Sequence, residues 1–133
     1  MSWELPERIS VREVGPRDGL QNEEPVPTDA KVALLDALSR TGVKRIEAVS
    51  FVRPSAIPQM ADADEVWKRA AKAPEVRYSA LVPNLRGALR ALDAAIVHSA
   101  DCSCRPREFH ELAEPCTALR NAHLERTRWV PRR

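Results

Sequence analysis

Arg17 and Asp18 stand side by side in the run Glu13-Val14-Gly15-Pro16-Arg17-Asp18-Gly19-Leu20-Gln21-Asn22-Glu23. Glycine and proline open this turn, which crowds a guanidinium, carboxylates and two amides together. A carboxylate beside a fixed guanidinium can hold a hard cation while the guanidinium neutralises a developing oxyanion. The same pair also serves in many turns as a plain structural bridge, so residue type alone leaves both uses open. The run follows directly on a strand-like segment, Ile9 to Val14.

The elements that must position this turn repeat. Thr28 reads as the N-cap of a helix through Arg40, with Leu34, Leu35 and Leu38 on one face and Gly42 as its stop. Val43 to Val49 is rich in β-branched residues and predicts a second strand. Asp62, with Glu65 three residues on, predicts a helix start. Ala63, Val66, Trp67, Ala70 and Ala71 give that helix its packed face, and Pro74 its end. Val76 to Val82 is the third strand, and Asn84 caps a helix carrying Leu85, Ala88, Leu89 and Leu92. Met60, Trp67 and Tyr78 read as core. Strand starts near 9, 43 and 76 are 34 and 33 residues apart, the period of a βα unit that builds a parallel sheet.

Polar residues gather just beyond the strands' C-terminal ends: Arg17 and Asp18, then Ser50, then Asn84. Glu47 lies inside the second strand, where a carboxylate is costly unless paired or close to a ligand. In a (β/α)8 barrel this rim carries the chemistry. An open doubly wound sheet would also bind there, but the first turn has no G-x-G-x-x-G and the chain no Walker A sequence. The fold class expected is therefore α/β of the TIM (β/α)8-barrel type.

Composition bounds the rest. The 133 residues suit one domain but fall short of a complete barrel, which takes ~250. Apolar content of 44% with 30% charged residues is an ordinary globular balance, and a net charge of +2 argues against nucleic acid as a partner. No apolar run is long enough for a membrane span, and the N-terminus has no basic or apolar leader. Three cysteines without a leader fit a reducing, cytoplasmic setting better than a disulfide framework.

Residues 14–23 resemble the N-terminal signature of 3-hydroxy-3-methylglutaryl-CoA lyases. Two further blocks match in order: Ile46 to Pro54, continued by Ile57-Pro58-Gln59-Met60, and Val82-Pro83-Asn84-Leu85-Arg86-Gly87. The Gly-Pro-Arg-Asp-Gly-Leu-Gln-Asn-Glu form is closer to this group than to the related isopropylmalate and homocitrate synthases. The resemblance spans residues 8–93. It implies a metal-dependent retro-Claisen cleavage on a (β/α)8 barrel, yielding acetyl-CoA and acetoacetate from an acyl-CoA substrate. By position it implies Asp18 as ligand of a divalent metal (Mg2+ or Mn2+), Arg17 as the catalytic cation and Glu47 as its orienting or proton-transferring partner. Gln21, Ser50 and Asn84 fall at substrate-binding positions. For Glu47 a buried ion pair, and for Ser50 and Asn84 ordinary capping, are the competing readings.

The family's metal site is completed by a His-x-His pair and an asparagine from later strands, and a glycine-rich cysteine loop closes over the substrate. His98, His110 and His123 make no His-x-His, and no cysteine here has glycine beside it. Residues 1–93 therefore read as the N-terminal part of a lyase-type barrel, about its first three βα units. Residues 94–133 read as an atypical tail, holding every cysteine and histidine and no glycine or lysine. Ala95-Ile96-Val97 is at most the start of a fourth strand. A reading-frame shift near position 94 and a genuine short paralogue both account for such a tail. Its Cys and His residues lack paired zinc-site spacing, and glutamates interrupt its arginines. The sequence thus predicts a lyase-type protein inactive as this chain, with a non-catalytic binding or scaffold fragment, or a lyase for a related 3-hydroxyacyl-CoA, as alternatives. Self-association through an open barrel edge is expected.

Overall fold

The computed structural model describes residues 6–94 and 100–102. Its elements are α1 (Thr28–Ser39), β1 (Arg45–Ser50), α2 (Ala63–Arg69), β2 (Arg77–Val82), α3 (Leu85–Asp93) and β3 (Ala100–Cys102). The strands form one parallel sheet in the order β1-β2-β3. Each helix follows a strand or strand-like segment, as the 33- to 34-residue period predicts. Among the described residues no helix is long and apolar enough to cross a membrane.

The first predicted strand, Ile9 to Val14, is reduced to a single parallel bridge between Glu13 and Ile46. Glu13 N–H donates to Arg45 O and Glu13 O accepts from Glu47 N, both at 2.8 Å. Ile9 and Val11 are 81% and 63% exposed. Alternating apolar residues make a strand only where a sheet surface receives them, and no described residue packs over these two. A strand past position 93 is the opposite surprise. β3 pairs in parallel with β2 through Ala80–Ala100, Leu81–Asp101 and Val82–Cys102, so the strand order continues into the tail. The Ala95-Ile96-Val97 candidate, and the histidines and arginines of the tail, lie outside the described residues.

The core sits between the sheet and the helices. Ile46, Val49, Tyr78, Ala80 and Val82 pack with Leu35, Val66, Trp67, Ala88 and Ala91. Trp67 meets Tyr78 edge-on, centroids 6.4 Å apart. The Tyr78 hydroxyl accepts from Ala73 N at 2.9 Å and lies 2.6 Å from Ser39 Oγ. Met60 is buried as predicted. Gly42, at φ +89°, makes the left-handed turn that carries the chain from α1 into β1.

Three local expectations are corrected. Pro27, not Thr28, occupies the N-cap of α1, because the Thr28 hydroxyl donates to Asp62 Oδ2 at 2.7 Å. Asp62 precedes α2 but makes no cap bond, its carboxylate being taken by Thr28 and by Lys31 Nζ at 2.6 Å. Finally, α2 ends at Arg69, well before Pro74. Ala71 N–H is drawn to Asp36 Oδ1 of α1 at 2.9 Å, and Lys72 Nζ closes the helix end on the carbonyls of Trp67 and Ala70. The buried stripe of α1 is Lys31, Leu35 and Ser39, and that of α3 is Gly87, Ala88 and Ala91, leaving Leu89 half exposed.

Small residues on α3 let it approach the end of β1. A Cβ on Gly87 would stand 2.5 Å from Phe51 O, a backbone atom that cannot swing away. Gly87→Ala should therefore destabilise the chain by ~1–3 kcal/mol, read as a lower urea midpoint with an unchanged slope. Lys72 gives a pH test. Burial pushes its ammonium below the ordinary lysine value, against the opposing pull of Asp36. The folded chain then binds fewer protons than the unfolded one between the two values, so stability rises with pH across that interval. Lys72→Met should flatten that alkaline rise in thermal midpoint.

Candidate functional site

Gly15–Gly19 forms a single wide helical turn and Leu20–Asn22 a tighter one. Asp18 N–H and Arg17 N–H both donate to Val14 O, at 2.7 and 3.1 Å. The Glu13 carboxylate accepts from Gly15 N at 2.6 Å. Pro16 is the buried residue of the turn and lines a small cavity with Leu35, Ala48 and Met60. The proline anchors the turn in the core, with Arg17 running inward to Glu47 and Asp18 facing outward.

Arg17 reaches Glu47 through Nε at 2.5 Å and Asp18 Oδ1 through Nη1 at 2.8 Å. Glu47 is 4% exposed and takes Arg12 Nη1 on its other oxygen at 3.3 Å. A buried carboxylate is tolerable on these terms, with both oxygens bonded to cations. Asp18 is the exposed member. Gln21 Nε2 donates to the same Oδ1 at 3.1 Å, and Asn22 Nδ2 donates to the Asp18 carbonyl at 2.8 Å. Arg17 Nη2 has no partner among the described residues, so one donor edge of a rigidly held guanidinium is available to a ligand oxygen.

The structure thus brings Arg17, Asp18, Gln21 and Glu47 into one cluster. Ser50, at the end of β1, is fully buried, and its hydroxyl has no hydrogen-bond partner among the described residues. Asn84 stands apart. Its Oδ1 accepts from Gly87 N at 3.0 Å, which is the capping role. It borders a groove of about 650 Å³ between residues 51–56 and 83–90, with Arg53 and Arg86 on the rim. Arg90 floors that groove, its guanidinium 5.4 Å from the Phe51 ring centre and bonded to Val52 O at 3.1 Å and to Asp64.

Sequence reasoning missed the residues that hold the cluster still. Arg12 is one. Lys31 is another: its buried ammonium joins Asp62 to Gln59 O at 2.5 Å, and Gln59 Nε2 reaches Glu23 O at 2.9 Å. This chain of bonds ties the end of the Arg17 turn to the Ile57–Met60 segment. The signal was present in the spacing of Lys31, Leu35 and Ser39 along one helix face, which marks a lysine on the buried side.

The donor set does not fit a divalent ion by itself. Asp18 offers one half-exposed carboxylate whose Oδ1 already serves Arg17 and Gln21. Both Glu47 oxygens serve arginines. No group of three or more His, Cys, Asp or Glu residues converges among the described residues. Hard cations require several oxygen ligands.

A buried Arg–Glu pair under an exposed aspartate, on a repeating βα scaffold, can be compared with known proteins. Residues 8–128 match the HMGL-like family model. The mitochondrial hydroxymethylglutaryl-CoA lyase of Gallus gallus is 56% identical over 84 residues, covering 62% of this chain and 28% of that protein. The cytoplasmic 3-hydroxy-3-methylglutaryl-CoA lyase of Mus musculus is 50% identical over 114 residues, 85% of this chain and 33% of its own length. A solved HMG-CoA lyase from Acinetobacter baumannii, in complex with coenzyme A and 3-methylmalate, superposes with a TM-score of 0.67. It is 36% identical over 89% of this chain and 41% of its own. The chain spans about a third or less of the curated relatives it matches. Matched over nearly its whole length, it belongs to the HMGL-like family and carries the N-terminal portion of that family's TIM (β/α)8-barrel fold.

Proposed function

We propose that this chain carries the oxyanion-stabilising portion of a hydroxymethylglutaryl-CoA lyase-type site. The observation behind this reading is the Arg17–Glu47 pair, built at 2.5 Å with a guanidinium edge left over. In the reaction the substrate's 3-hydroxyl loses its proton and the bond between C3 and the carbon next to the thioester breaks. The electron pair passes into the thioester as an enolate. Protonation at carbon then gives acetyl-CoA, and the other product is acetoacetate. Arg17 Nη2 donates to the oxygen on which charge develops, where a fixed cation is worth most. Glu47 holds Arg17 in place, and Gln21 holds Asp18.

The acyl-CoA substrate is supported by the coenzyme A bound to a 36% identical relative. The groove rimmed by Arg53, Asn84 and Arg86 has the room and positive charge for a phosphate-bearing carrier. Mg2+ or Mn2+ enters this reading only through Asp18 and needs partners that the described residues do not supply, so no step is routed through it. As a separate 133-residue protein the chain is proposed to be inactive, because the sequence holds no His-x-His pair and no glycine-flanked cysteine.

The test is a graft. Residues 8–93 replace the aligned segment of the Gallus gallus lyase, and acetoacetate release is measured. Activity that Arg17→Gln removes supports the reading; a folded graft without activity overturns it. A second reading, self-association, is favoured by exposed Ile9 and Val11 beside the Glu13 bridge. An edge of this kind recruits another strand. Sedimentation should show a mass that rises with concentration, and a monomer throughout would refute it.

A further inference from the structure

Carboxylates outnumber Arg17 in its own turn. Its Nε meets Glu47 Oε1 at 2.5 Å and its Nη1 meets Asp18 Oδ1 at 2.8 Å. Glu13, at the start of the turn, adds a third carboxylate, held by Gly15 N at 2.6 Å. A guanidinium paired with two carboxylates belongs to a group of net negative charge, which repels the oxyanion it would receive. Asp18 is relieved in part by water and by the Gln21 amide, since its side chain is 52% exposed. Glu47 is buried and has no such relief from solvent.

Arg12 restores the balance. Its Nη1 meets the other Glu47 oxygen, Oε2, at 3.3 Å, so the buried carboxylate is divided between two cations. The main chain delivers Arg12 to this point. What remains of the first predicted strand is the single bridge from Glu13 to Ile46, and there Glu47 N–H donates to the Glu13 carbonyl at 2.8 Å. Arg12 and Glu13 thus hold Glu47 by its side chain and by its backbone. The turn that opens at Gly15 then brings Arg17 back to the same carboxylate. With Arg12 included, the ion-paired group of Arg12, Arg17, Asp18 and Glu47 is formally neutral. An anion arriving at Arg17 Nη2 meets a fixed donor without net repulsion behind it.

We propose that Arg12 is a positioning residue for anion recognition: acting through Glu47, its positive charge keeps Arg17 from being over-neutralised, so that Arg17 can receive an anionic substrate. This rests on the lyase-type reading above and adds to it a second cation that never touches the substrate. Two substitutions separate the charge from the bond. Lysine at position 12 keeps the charge, and its one nitrogen suffices because Arg12 spends a single nitrogen on Glu47. Glutamine keeps a hydrogen-bond donor and loses the charge.

The experiment uses the full 133-residue chain with 3-hydroxy-3-methylglutarate as the probe, by calorimetry at low and high salt, with thermal melting alongside. Arg12→Lys should bind the probe within about twofold of the parent. Arg12→Gln and Arg12→Met should bind it about five- to tenfold more weakly, a loss that shrinks as salt is raised. Glutamine matching lysine would make the bond sufficient and overturn the role of the charge. Equal weakening in all three variants would mean that Arg12 serves the fold alone, and it too overturns the assignment. Should Arg12→Met fail to melt cooperatively, the comparison of lysine with glutamine decides. Probe binding that Arg17→Gln abolishes and no Arg12 variant changes overturns the assignment of Arg12 alone. A parent chain that binds no probe, or binds it as well after Arg17→Gln, overturns both this assignment and the reading on which it rests.

Discussion

Glu47→Ala should be the most destabilising single substitution in the site, costing ~3 kcal/mol. The carboxylate holds Arg17 at 2.5 Å and Arg12 at 3.3 Å, and its own side chain is 5% exposed. Removing it takes away the acceptor of Arg17 Nε and of Arg12 Nη1 beside a strand interior, although Arg17 keeps its bond to Asp18. A buried pair that loses one partner typically costs ~3–5 kcal/mol. The low end applies because both arginines keep some contact with water, at 17% and 31% side-chain exposure, and can rehydrate. In a domain of this size such a loss lowers the melting temperature by roughly 10–20 °C. The double variant Glu47→Leu with Arg17→Met should lose less than Glu47→Ala alone, since an apolar pair replaces a stranded charge. Urea unfolding of the single and double variants measures the coupling directly. A Glu47→Ala chain within about 0.5 kcal/mol of the parent would mean that the pair is solvated and unimportant to the fold.

The βα repeat was legible because its signals are local. Leu35, Val66, Trp67, Val76 to Val82 and the Asn84 cap follow from periodicity and capping chemistry, and each stands where those rules put it. The cluster of Arg17, Asp18 and Gln21 was legible for the same reason, its members lying within five consecutive residues. Failures occur where one residue's choice depends on a distant one. Thr28 and Asp62 both look like caps, but across 34 residues they satisfy each other and cap nothing. Ile9 to Val14 has strand chemistry and lacks the neighbour that would make it a strand. The slip in register between Glu47 and Val49, where β1 holds one residue more than β2, is invisible in Ile-Glu-Ala-Val-Ser, because an alternating reading of that segment sends Glu47 and Ser50 to opposite faces. Only the pairing with β2 shows that they share one.

Arg17→Gln, placed in the grafted lyase, should lower kcat by on the order of 10³ with a much smaller change in KM. The asymmetry follows from when the interaction forms. The substrate thioester carbonyl carries little charge, whereas the departing enolate carries a full one, so the guanidinium contributes chiefly in the transition state. Glutamine keeps a neutral donor near the same place and loses the charge. Arg17→Lys should not rescue the rate. The side chain works as a fork, with Nε committed to Glu47, Nη1 to Asp18 and Nη2 left for substrate, and one ammonium cannot serve three directions at fixed angles. The ungrafted chain should release no measurable acetoacetate with Mg2+ or Mn2+. Asp18 alone does not strip such ions of water, and a site open to solvent weakens every electrostatic contribution Arg17 can make. Groups that act as a unit fail as a unit. Turnover by the ungrafted chain that vanishes in Arg17→Gln and Asp18→Ala would show that other groups, from this chain or a second copy, complete the site. An Arg17→Gln graft with unchanged kcat would remove the guanidinium from the chemistry and leave its pair with Glu47 as architecture.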